Sequence, residues 1–150
     1  MASLSINKDD LVDAYLAGLF DGEGSVSITG HPHTTLTLAL AMTTSAPFPL
    51  LVERFGGRWY LANRRTVTGR QVYRWDVVGT SAKRAVRTLL SKCVVKVPQL
   101  RLANELIELL EAQKQRLGRV YAGHGRKLQP YEAELRNVIA ITNRQLNGTI

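Results

Sequence analysis

The stretch "YLAGLFDGEGSVSI" brings the end of an apolar helix directly against the start of a strand. Asn7 can cap the helix, and an acidic first turn follows it. Gly22 and Gly24 favour termination of the helix near Asp21, and the residues that follow alternate small polar with apolar side chains, which is typical of a half-buried strand. The apolar positions of this predicted helix are Leu11, Tyr15, Leu16, Leu19 and Phe20.

The middle of the chain repeats one order of elements, two strands followed by a helix. Segments 25–29 and 35–43 form the first predicted hairpin around the turn "HPHTT", and a helix over 45–55 follows. "RWYLANRR" and "QVYRWDVVGT" form the second hairpin around "TVTGR", and Thr80 or Ser81 is predicted to cap the next helix. That helix is expected to direct four residues toward the core: Ala82, Val86, Leu89 and Leu90.

Two longer helices are predicted in the C-terminal part of the chain. The first has Pro98 in its first turn and ends at Gly118, and the second opens at Pro130 after a basic, glycine-rich loop. The expected packing residues of the last helix are Leu135, Val138, Ile139 and Leu146. The order of elements predicts a mixed α/β fold of the α+β class.

Length and composition bound the class of protein. With 150 residues, of which 45% are hydrophobic, the chain can build one core and is predicted to be a single domain. The one cysteine, Cys93, cannot form an internal disulfide, and the sequence has no apolar run of membrane-spanning length and no secretory signal. We therefore expect a reducing, intracellular compartment.

Positive charge is concentrated in the middle of the sequence. Residues 1–23 carry a net charge of −4, residues 24–104 carry twelve Lys and Arg against only Glu53 and Asp76, and residues 105–150 carry +2. Such a concentrated field indicates a nucleic-acid partner. A basic but merely solvated surface explains the charge alone equally well.

"LAGLFDGEG", from Leu16 to Gly24, resembles the LAGLIDADG motif that names a family of intron- and intein-associated homing endonucleases. Glu23 stands where the family usually has its final aspartate. The resemblance extends over most of the chain, because the family has an αββαββα core with a saddle-shaped antiparallel sheet. It implies a core over about residues 7–117 and a C-terminal helical extension over about 118–150.

The single copy of the motif implies a homodimer in which the motif helices of two chains pair across a twofold axis. Ala14, Gly18 and Gly22 recur every four residues with Ala17 beside them, so two such helices can approach closely. Without the resemblance, packing of this stripe on another helix of the same chain would be the simpler explanation. The predicted dimer-interface residues are Ala14, Ala17, Gly18, Asp21 and Gly22.

By the same resemblance, Glu23 is the metal-binding carboxylate, assisted by the backbone carbonyl of Gly24, with Mg²⁺ as the expected ion and Mn²⁺ as a substitute. Lys96, in "VVKVPQ", corresponds to a family lysine that faces the active-site water, with a generic phosphate contact as its alternative role. Thr44 stands where the family often has a glutamine, and the apolar "PFP" at 47–49 stands where an arginine often follows. These departures bear on the efficiency of cleavage.

The alternating strands predict a sheet whose polar face can enter a DNA major groove, where arginines bind guanine or phosphate. His31 and His33 have no cysteine or acidic cluster beside them in sequence, and they indicate a turn that contacts DNA or solvent. The predicted DNA-binding residues are Ser25, Ser27, Thr29, His31, Thr35, Thr37 and Thr43 from the first hairpin and Arg64, Arg65, Arg70, Arg74 and Asp76 from the second.

The resemblance thus implies a homing endonuclease that makes metal-dependent double-strand breaks in a long, near-palindromic DNA target. It would act in the cytoplasm of a prokaryote or in an organelle, for the spread of the intron or intein that encodes it. Two alternatives remain open on the same scaffold. One is a DNA-binding regulator that does not cleave, and the other is an intron maturase that binds RNA.

Overall fold

The computed structural model describes residues 5–29, 34–63, 69–117 and 130–148. The helices are α1 (Lys8–Glu23), α2 (Phe48–Phe55), α3 (Lys83–Lys92), α4 (Val97–Leu117) and α5 (Pro130–Leu146), and the strands are β1 (Gly24–Ile28), β2 (Leu36–Met42), β3 (Arg58–Asn63) and β4 (Val72–Val78). This order confirms the predicted α+β class. The two predicted hairpin turns and the basic loop after α4 lie largely outside the described residues. Among the helices described, none is long and apolar enough to cross a membrane.

The four strands form one antiparallel sheet in the order β1-β2-β4-β3. In the first hairpin Gly24 pairs with Leu40, and between the two hairpins Thr37 pairs with Val78. Successive side chains of a strand point to opposite faces, so these registers assign each residue to one side of the sheet. One face is polar and carries Ser25, Ser27, Thr37, Arg58, Tyr60, Arg74 and Asp76.

The opposite face of the sheet is apolar, and its side chains share one buried cluster with the helices. Leu16 and Phe20 of α1 belong to this cluster together with Leu38 of β2 and Trp75 of β4. The Trp75 indole N–H donates to the carbonyl of Gly56 at 2.9 Å, so its polar atom is satisfied. Because the helices pack on the apolar face, the polar face stays uncovered by them.

Helix α1 begins where the sequence predicted and ends two residues beyond Asp21. The Asn7 side chain accepts the Asp9 N–H at 3.1 Å. Of the apolar positions named for this helix, Leu11 and Tyr15 are 56% and 53% exposed and lie outside the core. The helix directs Leu16 and Phe20 to the sheet, and at about 100° per residue this turns Leu11 and Tyr15 to the outer side.

The start of α3 also differs from the prediction. A 3-10 turn, Gly79–Ala82, joins β4 to α3, and no side chain in the described structure caps the helix, so neither Thr80 nor Ser81 has the expected role. The Lys83 N–H instead donates to the Thr80 carbonyl. The turn buries Ala82 at the position where the sequence predicted a core contact.

Helix α5 is attached to the sheet by polar side chains. Asn143 and Asn147 both donate from their side-chain amides to the Val26 carbonyl, at 3.0 and 2.8 Å. They thereby cover part of the edge strand β1. Ile139 is buried as predicted, but three other expected packing residues are exposed: Leu135, Val138 and Leu146.

Candidate active site and nucleic-acid interface

Glu23 is the last residue of α1, at the point where the chain turns directly into β1. Gly24 permits this junction, because a Cβ there would overlap the Phe20 ring and the Phe20 carbonyl. The Gly24 N–H donates to that same carbonyl. The Glu23 side chain is exposed, so its carboxylate faces solvent where helix and sheet meet.

Glu23 and Thr43 line one shallow depression of about 310 Å³. Ala41, Met42 and Val72 complete its lining, which places it at the end of the sheet where β2 finishes and β4 begins. The predicted metal ligand and one predicted DNA-contact residue therefore share one recess.

The two departures from the family pattern have structural uses in this chain. The Thr44 hydroxyl accepts the Ala46 N–H at 3.3 Å, and the Ser45 carbonyl accepts the Phe48 N–H at 3.0 Å. These bonds form the turn between β2 and α2. Phe48 is fully buried in the core, so the "PFP" segment begins α2 and fills the interior.

Asp21 has a role that the sequence did not predict. Its carboxylate accepts three backbone N–H groups, from Val94 at 2.7 Å, Val95 at 3.0 Å and Lys96 at 2.9 Å. Burial pushes the pKa of Asp21 up, but the three donors outweigh it, and the pKa is lowered from its usual value. The carboxylate that was predicted to lie in the dimer interface is therefore committed within its own chain.

The neighbouring thiol is kept protonated by this arrangement. Cys93 is buried, and its Sγ donates to the Ala17 carbonyl at 3.5 Å. Burial and the nearby negative charge of Asp21 raise the pKa of Cys93 to about 12. Cys93 is thus an inert packing residue beneath the segment that leads to Lys96.

The described residues near Glu23 would supply a divalent cation with only part of a coordination shell. Within the described residues, no three His, Cys, Asp or Glu side chains lie close enough together to hold a metal ion. Glu23 and the Gly24 carbonyl are hard oxygen donors, and Mg²⁺ is commonly held by one or two carboxylates completed by substrate phosphates and water. The exposed Glu23 fits that kind of incomplete site.

Most predicted contact residues of the first hairpin are exposed or half-buried, and their contact with DNA stays a prediction. Ser25 and Ser27 are exposed on the polar face, and Thr37 is half-buried beside them. The Ser25 hydroxyl donates to the Ala39 carbonyl across the strands at 3.5 Å. Thr29 and Thr35 close the hairpin, because the Thr29 hydroxyl oxygen accepts the Thr35 N–H at 2.9 Å.

The second hairpin brings four polar residues together, which we call the β3–β4 quartet: Arg58, Tyr60, Arg74 and Asp76. Asp76 is only 6% exposed, and both of its carboxylate oxygens are engaged by the other members. The prediction that Asp76 contacts DNA is therefore corrected to a role inside the protein. Arg58 and Tyr60 were not among the predicted contact residues, although alternation with Trp59 would have assigned them to the polar face.

Four predicted DNA-contact residues lie in or near the turns. His31, Arg64 and Arg65 fall outside the described residues. Arg70 is exposed just before β4 begins, and its contact with DNA stays a prediction.

No described residue covers the outer side of α1, which is lined by small residues. Ala14, Gly18 and Gly22 are exposed, and a Cβ added at either glycine would meet no described atom within 4 Å. Leu11 and Tyr15 extend this uncovered face. Ala17 is 1% exposed and belongs to the core of its own chain, so its assignment to a dimer interface is corrected.

Comparison of the fold with solved structures finds homing endonucleases. The homing endonuclease I-CvuI, in complex with its target in the presence of calcium, matches with a TM-score of 0.56 and 21% identity over 93% of this chain and 96% of that chain. The homing endonuclease I-TnaI matches with a TM-score of 0.63 and 14% identity over 91% and 94%. An archaeal intron-encoded homing endonuclease complexed with DNA matches with a TM-score of 0.60 and 14% identity over 89% and 99%.

These similarities establish the fold. No family model and no curated protein matches the sequence. The chain has the fold of the LAGLIDADG homing endonucleases over nearly its whole length, and the fold that the motif implied is confirmed.

Proposed function

We propose that the chain is a site-specific, metal-dependent DNA endonuclease that acts as a homodimer. The observation that carries the proposal is the position of Glu23, an exposed carboxylate at the end of the helix with the bare outer side and at one end of the polar sheet face. A dimer through α1 would bring the two Glu23 residues near the twofold axis. Two cuts, one in each strand of a duplex, would then be made near the centre of a symmetric target.

The uncovered side of α1 supports the dimer. Helices with small residues along one side can pack at the lower end of the usual interaxial range of about 8–10 Å. Leu11 and Tyr15 flank the small residues and would be buried by a second chain, which accounts for two large exposed apolar side chains on a helix that is otherwise well packed.

Glu23 and the Gly24 carbonyl would hold a divalent ion, with Mg²⁺ as the best match and Mn²⁺ as a substitute. When bound, such an ion supplies an activated water and a counter-charge for the phosphodiester. Asp21 holds the backbone of Lys96 against the end of α1. The Lys96 ammonium would neutralise a developing negative charge at the phosphate. These roles remain proposals for this chain.

The polar face of the sheet would bind the target in the major groove, where base edges differ most. It carries serine and threonine hydroxyls from the first hairpin and exposed arginines from the second. This face and the net charge of +10 over residues 24–104 together suit a duplex DNA partner.

The decisive experiment begins by selecting a DNA target for the protein. The wild-type protein is used to select binding sites from a pool of random duplexes, and the selected site is then incubated with protein in Mg²⁺. We expect a double-strand break that Glu23→Gln abolishes, because the amide keeps the size of the side chain and removes the charge. Glu53→Gln, which removes an exposed glutamate on α2, is the matched control and should cleave normally.

A different result would favour one of the alternatives. If the wild-type protein binds its selected site in Mg²⁺ and Mn²⁺ without cutting it, and Glu23→Gln behaves identically, the protein is a binder and not an endonuclease. A parallel splicing assay on the precursor RNA then separates the maturase from the regulator.

A further inference from the structure

The β3–β4 quartet forms a compact square on the polar face of the sheet. Arg58 lies directly opposite Asp76 in the register, and Tyr60 lies directly opposite Arg74. The two arginines are therefore diagonal neighbours, which in an antiparallel pair places their side chains within reach of a common partner. Asp76 is that partner.

Asp76 engages the other three members with both carboxylate oxygens. Oδ1 accepts the Arg58 Nε–H at 3.2 Å, and Oδ2 accepts the Tyr60 hydroxyl at 2.8 Å. Oδ2 also forms an ion pair with Arg74 Nε at 3.6 Å. The hydrogen bond from Tyr60 to the carboxylate, together with burial, raises the pKa of Tyr60, so its hydroxyl stays a proton donor to Asp76.

The Asp76 contacts given for the two arginines are made by Nε. A guanidinium that is held through Nε keeps its end-on edge, one N–H from each terminal nitrogen, which can pair with O6 and N7 of guanine. Arg58 is further restrained by Tyr60, since its Cζ lies 5.2 Å from the centre of the Tyr60 ring. Its side chain is nevertheless 76% exposed.

The surroundings leave the quartet open to a ligand. The residues of β2 opposite Asp76 and Arg74 are Ala39 and Ala41, whose side chains end at Cβ. On the β2 side of the quartet, the polar face therefore carries only short side chains. Ala41 is exposed, so a base edge can approach Arg74 there without displacing a large side chain.

We propose that Asp76 is a positioning residue that holds Arg58 and Arg74 as a preorganised pair, and that this pair reads guanine-containing base pairs in each half of the target. This inference rests on the proposed function as a DNA-binding protein. It assigns a specificity role to Arg58 and gives Asp76 no contact with DNA. Asp76 also lowers the net charge of the quartet, which limits its attraction to phosphate in unrelated sequences.

The test compares discrimination with affinity. Kd values are measured for the site selected by wild-type protein, for its single base-pair variants and for an unrelated duplex, at several salt concentrations. For Asp76→Asn we expect the ratio of unrelated to selected Kd to fall about tenfold or more, with the loss confined to a few symmetric positions. Binding to the unrelated duplex should be equal or tighter, because the variant adds positive charge.

Arg58→Lys supplies the second arm. Lysine keeps the positive charge but lacks the paired N–H donors of the guanidinium. The variant should therefore lose discrimination between base pairs at a subset of the same positions, while the salt dependence of binding stays unchanged. Arg87→Lys is the matched control, because Arg87 is exposed on α3, a helix that packs mainly on α1 and α4. It should match the wild type in both readouts.

The outcomes are separable. If wild-type protein selects a consensus, and Asp76→Asn and Arg58→Lys keep that consensus with unchanged discrimination, the inference is overturned while the proposed function stands. A proportional loss on selected and unrelated DNA also overturns it, because that pattern belongs to a phosphate contact or a purely structural role. If Asp76→Asn does not fold, the inference is tested with Arg58→Lys and Tyr60→Phe. The second variant removes only the hydroxyl group that donates a hydrogen bond to Asp76. If the wild type selects no consensus, the proposed function itself fails, and the inference fails with it.

Discussion

The Asp21 carboxylate accepts the backbone N–H of Lys96 at 2.9 Å. This bond links the last turn of α1, which also carries Glu23, to the segment that leads into α4. Val94 and Val95 donate to the same carboxylate, so a stretch of three residues is fixed by one side chain. The two candidate catalytic residues are thereby held to one another through Asp21, although they are 73 positions apart in the sequence.

Asp21→Asn should therefore affect stability and activity together. An asparagine can accept the Val95 and Lys96 N–H groups, but its amide nitrogen would face the Val94 N–H. We expect the free energy of unfolding to fall by about 1–3 kcal/mol, since a charge-assisted bond is lost and a donor is left unpaired. Urea denaturation measures this change, and an unchanged midpoint would contradict the role assigned to Asp21.

Lys96→Met provides the complementary prediction. The backbone N–H that Asp21 accepts is retained, so the free energy of unfolding should change by less than about 0.5 kcal/mol. The rate of cleavage of the selected site should fall roughly 100-fold if the ammonium neutralises charge in the transition state. A normal cleavage rate with weakened binding would instead assign Lys96 to a ground-state phosphate contact.

Acid should destabilise the fold through two carboxylates. The hydrogen bonds from Arg54 are the main cause that lowers the pKa of Asp13, and three backbone donors outweigh burial in lowering that of Asp21. A lowered pKa in the folded state contributes stability that is fully present above the unfolded value and is lost as the pH falls through the folded value. Thermal melts from about pH 6 to about pH 3 should show this loss, and Asp13→Asn should show a shallower one.

Gly18→Leu should separate the dimer without unfolding the chain. A Cβ at this position meets no described atom within 4 Å in the single chain, so the fold can accept the larger residue. Across a close helix pair the same side chain occurs twice, and overpacking of about 3 kcal/mol or more would raise the dimer Kd at least 100-fold. Sedimentation velocity measures the change in mass.

Ser91→Leu is the control for that experiment, because it adds similar bulk to an exposed position of α3. It should leave the sedimentation profile unchanged. If Gly18→Leu also stays dimeric and retains its affinity for the selected DNA, the proposed interface through α1 is wrong.

Periodicity predicted the parts of the fold that depend on neighbours in sequence. The strand faces of β2 and β4, and the helix that ends beside Glu23, follow from local alternation and glycine placement. Periodicity could not tell which apolar side of α1 meets the sheet, because Leu11 and Tyr15 are as apolar as the residues that are buried. That choice depends on the packing of distant elements.

For the same physical reason, contacts between residues that are distant in sequence could not be predicted from the sequence. The use of Asp21 as an acceptor for residues 94–96 has no local signature, since any carboxylate at a helix end looks alike. Arg58 could have been found, because alternation with Trp59 assigns it to the polar face of the strand. Its connection to Asp76 depends on the register of β3 against β4, which the local pattern of either strand does not specify.

Binding to the selected DNA should weaken steeply as the salt concentration rises, since the basic middle of the chain displaces counterions from the duplex.

Arg74→Ala should weaken binding by about 1–3 kcal/mol at particular base pairs if Arg74 reads bases. Kd measurements on single base-pair variants of the selected site test this expectation. A loss of equal size on every sequence, with a shallower salt dependence, would assign Arg74 to a phosphate.

Glu23→Asp tests the geometry of the candidate metal ligand more finely than removal of its charge does. Aspartate is the residue that the resembled motif usually has, and it keeps the negative charge on an arm that is shorter by one methylene. Because Glu23 is exposed and Gly24 fixes the backbone directly after it, the shorter carboxylate starts from the same position and loses only reach. We expect Glu23→Asp to retain cleavage within about tenfold of the wild type in Mg²⁺, while Glu23→Gln loses it and binds DNA as well or better, since a negative charge near phosphate is gone. Single-turnover cleavage rates and Kd values for the three proteins measure this order.

If Glu23→Asp is as inactive as Glu23→Gln while both bind DNA normally, a negative charge alone is insufficient, and binding of the ion requires the longer side chain of glutamate. If Glu23→Gln cuts like the wild type, Glu23 does not hold the catalytic metal.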